Sequence, residues 1–303
     1  MPAIVVADLT RDYGPIRALD HVSFTVEPGE VFALLGPNGA GKTTAVEILE
    51  GYRTRDGGQV SVLGFDPSTG GSAYRERIGI VLQSAGFEEE FTVRELIRMQ
   101  ASLFPRRHDP DELAELVGLA DRGGTRVKAL SGGQRRRLDL ALGLAGAPDL
   151  LFLDEPTTGF DPAARHRAWE LIERLRSLGT TILLTTHYIE EAQRLADRAA
   201  VLRAGKLVAL GSPSELEASC GLPSRITFPL ITAAPTDLPA MSGSVAIEDG
   251  TVVIRTHQPL ADTRTLTDWA CTRQLDLPGL TLTPPTLEDA YLSLTGEPAD
   301  DDR

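Results

Sequence analysis

Three short runs in this chain carry residue types suited to chemistry on phosphates. The first is Gly36-Pro37-Asn38-Gly39-Ala40-Gly41-Lys42-Thr43, with Thr44 directly behind it. A glycine-rich turn that opens a helix points backbone N–H groups at an anion, and the helix N-terminus adds about half a positive charge. A lysine and a hydroxyl closing such a turn reach the β- and γ-phosphates of a nucleotide and its Mg²⁺. The second run is Leu150-Leu151-Phe152-Leu153-Asp154-Glu155. Its apolar residues bury a strand and deliver Asp154 to the sheet edge, where a carboxylate holds Mg²⁺, often through water. Glu155, next along, is placed to polarise a water as a general base, a role worth ~10²–10⁴ in rate. The third run is Ser131-Gly132-Gly133-Gln134. Ser-x-x-Gln is a capping box that starts a helix, and this explains Ser131 and Gln134. It does not explain two adjacent glycines, each costing ~1 kcal/mol inside a helix. Bare N–H groups there form a second anion site, so the chain carries two phosphate-binding surfaces for what reads as one nucleotide.

These runs need elements to position them. The apolar stretch 31–35 is short and continuous, as in a strand buried on both faces, and leads into the glycine-rich turn. A helix is predicted over 41–50, with Gly51 where a left-handed residue would stop it. Upstream, 3–9 and 22–26 read as strands, the second ending in the turn Glu27-Pro28-Gly29-Glu30. Further buried strands are expected at 78–82, 150–154 and 181–186, with a helix over 162–178. Helical spacing at 93–104 and 110–117, and Leu138, Ala141, Leu142 and Ala145 after Ser131, mark the span from about 84 to 147 as helical. Gly146 and Pro148 end it. A hairpin pairs 200–202 with 207–210 around Ala204-Gly205. Buried strands alternating with helices mean a parallel α/β sheet.

Beyond 222 the chain becomes Thr/Pro-rich and more acidic. The pattern there gives a strand at 225–231, a hairpin around Glu248-Asp249-Gly250, a helix at 260–273, a strand at 279–283 and a helix at 286–294 before an acidic tail. Asp-Gly between alternating apolar runs is a strong hairpin signal. The expected division is therefore 1–222, a nucleotide-binding domain with its helical part at about 84–147, and 223–303, a small α+β accessory domain.

Composition narrows the partners. Of 303 residues, 42% are hydrophobic and 24% charged, and the formal net charge is -13. So acidic a chain is repelled by nucleic-acid backbones and by anionic lipid. Nucleic acid is not an expected partner, and work at a membrane would go through a docked protein rather than direct lipid insertion. The basic runs Arg135-Arg136-Arg137 and Arg106-Arg107 read as solvated faces. No apolar run approaches the ~20 residues that a membrane span needs, and no signal peptide is visible. Cys220 and Cys271 read as reduced thiols of a cytosolic protein.

Taken in order, the phosphate loop, Leu130-Ser131-Gly132-Gly133-Gln134, Leu153-Asp154-Glu155-Pro156 and Thr186-His187 resemble an ABC-transporter ATP-binding subunit over roughly residues 3–220. The resemblance implies a P-loop NTPase core of α/β class with an antiparallel β subdomain and a helical subdomain. It implies ATP and Mg²⁺ as cofactors, and ATP hydrolysis coupled to transport. Two such domains would meet head to tail, as a homodimer or with a second ATP-binding subunit. Ser131, Gly132, Gly133 and Gln134 of one would then cap the γ-phosphate held by the other's loop. Tyr13 would stack on adenine. Thr43, Gln83 and Asp154 would form the Mg²⁺ shell, and Lys42, Glu155 and His187 would carry hydrolysis. Asp161 would contact the opposite subunit's site, besides capping the helix that opens at Pro162. Phe160 stands where the family usually has leucine, which implies a modest packing change. His21, His108, His166 and His257 match nothing. The stretches 135–141 and 285–296 resemble the daunorubicin-resistance type of drug-export ATPase. That implies an exporter subunit on the inner face of the cell membrane, held there by a separate integral-membrane permease.

Overall fold

A computed structural model describes residues 1–82, 86, 88–229 and 238–296. Gln83, the end of the expected 225–231 strand and the acidic tail lie outside the described residues. In chain order the strands and helices are β1 Ile4–Tyr13, β2 Ile16–Val26, β3 Val31–Leu35, α1 Lys42–Leu49, β4 Gly57–Val62, α2 Gly71–Arg75, β5 Ile78–Val81, α3 Val93–Ser102, α4 Pro110–Leu116, α5 Gly132–Leu144, β6 Leu150–Asp154, α6 Pro162–Ser177, β7 Thr181–Thr186, α7 Ile189–Leu195, β8 Arg198–Arg203, β9 Lys206–Gly211, α8 Pro213–Ser219, β10 Ser224–Pro229, β11 Ser244–Glu248, β12 Thr251–Thr256, α9 Pro259–Thr272, β13 Thr281–Thr283 and α10 Leu287–Thr295. They fall into two compact units, Met1–Pro213 and Ser214–Arg303.

The first unit is built on a six-stranded sheet of order β5-β6-β7-β3-β8-β9. All neighbours are parallel except the β8–β9 hairpin. Every residue of β3 and β7 is buried, as expected where both faces of a parallel sheet are covered. A second, antiparallel sheet has the order β2-β1-β4. Its Ile4, Val22, Phe24 and Val26 share one core with Phe32 and Leu34 of β3 and with Ala45, Ile48 and Leu49 of α1. The Phe24 and Phe32 rings stack at 5.2 Å. Burying side chains of this size contributes ~1.5–3 kcal/mol each, which fixes α1 behind β3.

Helices α3, α4 and α5 pack together. α5 also rests on β5 almost backbone to backbone. A Cβ on Gly79 would lie 2.2 Å from the Gly143 carbonyl oxygen, and one on Gly143 would lie 2.6 Å from Cγ2 of Val81. The glycine pair sets the height of α5 over the sheet.

The second unit is an antiparallel sheet of order β11-β12-β10-β13. Ile226, Phe228, Val252 and Ile254 from the sheet and Leu266 of α9 form its core. The β11–β12 turn has Asp249 at φ 46° and Gly250 at φ 75°, the pair of left-handed residues that a two-residue hairpin needs. Thr286 and Asp289 form a capping box on α10. Cys220 and Cys271 are both free thiols.

The glycine contact yields a stability prediction. Gly79→Ala should destabilise the chain by about 1–3 kcal/mol, the cost of forcing a methyl into a closed contact. Thermal unfolding would report it as a lowered midpoint; an unchanged midpoint would mean that α5 is not seated on β5 in this way.

Candidate functional site

Sheet order brings the site together. β6, β7 and β3 are neighbours and run parallel, with Leu35 opposite Thr186 and Asp154 opposite Thr185. The phosphate loop, the two carboxylates and His187 therefore all leave the same C-terminal edge, where open α/β sheets bind their ligands.

The loop runs from Gly36 to Gly41 and turns into α1. Gly41 is the N-cap at φ 105°, and a Cβ there would lie 2.5 Å from the Ala18 carbonyl oxygen. Only glycine meets both demands. Ala40 N–H donates to the Pro37 carbonyl at 3.1 Å and tightens the turn. Lys42 is buried, and its Nζ donates to the Gly36 carbonyl at 2.6 Å and the Pro37 carbonyl at 3.1 Å. The ammonium is thus folded over the loop it serves. Thr43 is exposed and Thr44 half-buried at the first turn of α1.

At the end of β6, one hydroxyl organises both carboxylates. Thr185 Oγ1 donates to Asp154 Oδ1 at 2.6 Å and accepts the Glu155 N–H at 3.0 Å. Glu155 itself has φ 44°, a left-handed backbone that is costly for a residue with a side chain. This bend turns the Glu155 side chain away from the strand alternation. Its Oε1 lies 3.3 Å from Nδ1 of His187, and its Oε2 accepts the Thr158 hydroxyl at 3.1 Å. The structure therefore pairs the expected base with the expected histidine.

Ser131 and Gln134 form the capping box on α5. Ser131 Oγ accepts Gln134 N–H at 3.3 Å, and Gln134 Oε1 accepts Ser131 N–H at 2.9 Å. These two side chains serve each other, which leaves the Gly132 and Gly133 N–H groups at the helix start to address an anion. They line a groove of about 590 Å³ with Phe160, Asp161 and Arg167, and among the described residues no member of the 36–43 loop lines it. Asp161 caps α6 by accepting Ala164 N–H at 2.8 Å. Phe160 is half-buried on the groove wall. Tyr13 ends β1 on the antiparallel sheet, where the Arg11 and Arg53 guanidinium groups lie 5.0 and 5.4 Å from its ring centroid.

Three residues near the site escaped the sequence reading. Arg136 was expected on a solvated face; instead it is buried and donates to the Asp154, Glu155 and Pro156 carbonyls. Consecutive helix residues point about 100° apart, so a basic triplet on a packed helix sends one member inward. Glu191 is fully buried and accepts the Thr157 hydroxyl at 2.9 Å and the Trp169 indole N–H at 3.1 Å. It ties α7 to α6 and to the turn after Glu155, and burial raises its pKa. Glu50 is buried at the end of α1. Its pKa is pushed up to about 8, first by loss of water and then by the negative charge of Asp154 and Glu47. No local sequence signal distinguishes either glutamate from an exposed one.

Comparison with known proteins places the chain among its relatives. The family described as ABC transporter matches residues 19–158, and the C-terminal domain of ABC transporter domain-containing protein-like chains matches residues 224–286. The chain is 38% identical over 311 residues to the daunorubicin/doxorubicin resistance ATP-binding protein DrrA of Streptomyces peucetius, covering 99% of this chain and 94% of that protein. It is 38% identical over 305 residues to the Nod factor export ATP-binding protein I of Rhizobium etli, covering 98% and 94%. Among solved structures, an ATP-binding subunit of an ABC transporter superposes with TM-score 0.65 at 28% identity, over 72% of this chain and 93% of that one. The cbiO1 protein of Clostridium perfringens, part of the ABC transporter complex cbiONQ, gives TM-score 0.65 at 28% identity, over 72% and 91%.

The Thr185 bridge can be tested directly. Thr185→Val keeps the shape but removes the donor to Asp154, and should cost about 1–3 kcal/mol because the acceptor is a carboxylate. Urea unfolding at neutral pH would show it; an unshifted midpoint would mean that the bridge carries no net stability.

Proposed function

The chain belongs to the ABC transporter family and is an ATP-binding, ATP-hydrolysing subunit of such a transporter, and from that premise we propose that it drives a separate membrane permease by closing on ATP with a second copy of itself. The observation that carries this reading is the separation of the two anion-binding surfaces. The glycine N–H groups of α5 face a groove that none of residues 36–43 enters. One chain thus supplies one half of each of two sites, and a head-to-tail pair completes both.

In this reading Lys42, the 36–41 amides and Thr44 hold the ATP phosphates, and Tyr13 stacks on the base. Gln83 joins the Mg²⁺ shell with Thr43 and Asp154. The donor set fits Mg²⁺: a hydroxyl and a carboxylate are hard oxygen ligands, and Asp154 is held in place by the Thr185 hydroxyl. When bound, the ion would neutralise charge developing on the β- and γ-phosphate oxygens. Glu155 orients the attacking water and accepts its proton. His187, exposed and with Nδ1 3.3 Å from the Glu155 carboxylate, faces the γ-phosphate. The partner's Gly132 and Gly133 amides close over that phosphate from the other side, with Ser131, Gln134 and Asp161 shaping the contact. Donors fixed before the reaction cost no reorganisation during it, which is where most of the acceleration would come from.

Among the described residues no helix is long and apolar enough to cross a membrane, so the transport path is assigned to the permease. With a net charge of -13, docking on the inner face of the cell membrane is assigned to protein contact rather than lipid charge. Relatives named for daunorubicin resistance and for Nod factor export support export, and the cargo class that we propose is drugs or other hydrophobic small molecules. Unit Ser214–Arg303 is assigned an accessory role.

The test is Glu155→Gln in the purified chain. Turnover should fall ~10²–10⁴-fold, the usual contribution of a general base, while ATP binding by calorimetry is kept. Turnover at the wild-type rate would remove Glu155 as the base.

A further inference from the structure

The Arg136 side chain has a use that the phosphate-binding residues do not explain. It is 8% exposed, and its guanidinium lies inside the first unit among backbone carbonyls. Nε donates to the Pro156 carbonyl at 3.1 Å. Nη2 donates to the Asp154 carbonyl at 3.0 Å and the Glu155 carbonyl at 3.3 Å. Nη1 donates to the Leu82 carbonyl, at the end of β5, and lies 3.8 Å from Oδ2 of buried Asp139. One planar fork therefore collects the carbonyls of three consecutive residues, 154 to 156, and of a fourth on the neighbouring strand end. Lysine, with a single nitrogen on a flexible stem, cannot span that set.

The acceptors matter more than their number. They surround Glu155, whose φ is 44°. On one side of the turn the Glu155 N–H is held by Thr185; on the other the carbonyls are held by Arg136. Arg136 also stands two residues beyond Gln134 on α5, the helix whose N-terminus presents Gly132 and Gly133. The same side chain thus fixes the bend that aims Glu155 and the helix that would cover the γ-phosphate.

We infer that Arg136 is a positioning residue for ATP hydrolysis, which holds the Glu155 turn in register with the α5 N-terminus and leaves nucleotide binding to the 36–43 loop. The inference rests on Glu155 being the residue that orients the attacking water. Arg136 touches no reacting atom; it acts through the Glu155 backbone.

The experiment uses the full chain with Arg136→Lys and Arg136→Ala, and measures ATP affinity by calorimetry, kcat and KM for ATP, and the thermal midpoint. Arg136→Lys should lower kcat about 10- to 100-fold, the penalty of misplacing a catalytic group by an ångström or so. Its ATP affinity and KM should stay within about twofold of wild type, because the loop is untouched. In Arg136→Ala, added guanidinium in the tens of millimolar should recover part of kcat, and the same concentration of sodium chloride should not. If the alanine variant does not fold, the lysine variant alone decides. The inference is overturned if Arg136→Lys turns over within about twofold of wild type, or if affinity and kcat fall together. Glu155→Gln is run alongside: an inactive Glu155→Gln with a fully active Arg136→Lys sinks this inference only, whereas an active Glu155→Gln sinks the reading beneath it.

Discussion

The hydroxyl of Thr185 joins two strand ends, and the candidate site is arranged from that join. A parallel sheet brings all its C-terminal strand ends to one edge, but it does not say how side chains there are aimed. Here Thr185 takes one oxygen of Asp154 and the amide of Glu155. The chain can then bend sharply at Glu155 and place its carboxylate against His187 instead of continuing the strand. The phosphate loop leaves the next strand along, β3, at the same level. Fully buried strands on both sides keep that level fixed. The geometry of this edge thus comes from strand register, one hydroxyl and one strained residue.

Beside this edge stands the N-terminus of α5, whose groove is lined by none of residues 36–43. α5 is held over β5 by the Gly79–Gly143 contact and started by the Ser131–Gln134 box. Its first N–H groups open into the groove shared with Phe160 and Asp161. In the proposed pair this helix N-terminus meets the phosphate that the partner's loop carries. Hydrolysis would then wait for closure, because half of the charge stabilisation arrives with the second copy.

Much of this was legible in the sequence where the signal is local. The run 31–35 into glycines and Lys42 places β3, the loop and α1, and the apolar runs at 150–154 and 181–186 coincide with β6 and β7. Ser-x-x-Gln names its capping box, and Asp249-Gly250 its hairpin. What was not legible depends on contacts far along the chain. β4 opens with Gly57 and Gly58, whose glycines hide a strand that exists by pairing with β1. Arg136 looks like its neighbours Arg135 and Arg137 until α5 packs down and turns one of the three inward. Glu50 and Glu191 look like surface carboxylates, and only the fold buries them. The left-handed turn at Glu155 has no glycine to announce it; its partners, Thr185 and Arg136, come from distant parts of the chain.

In the proposed pair each ATP is hydrolysed between two chains, one giving the loop and the other the α5 N-terminus. Complementation tests it most directly. A Lys42→Ala chain has a crippled loop and an intact α5. A Gly133→Asp chain has the reverse defect, and the fold has room for the new side chain, since a Cβ at 133 meets only Ala164 at 4.0 Å. Each alone should be close to inactive as an ATPase. Mixed, they should form pairs with one intact composite site and recover a substantial fraction of wild-type turnover. A mixture no more active than the sum of its two parts would contradict the shared site.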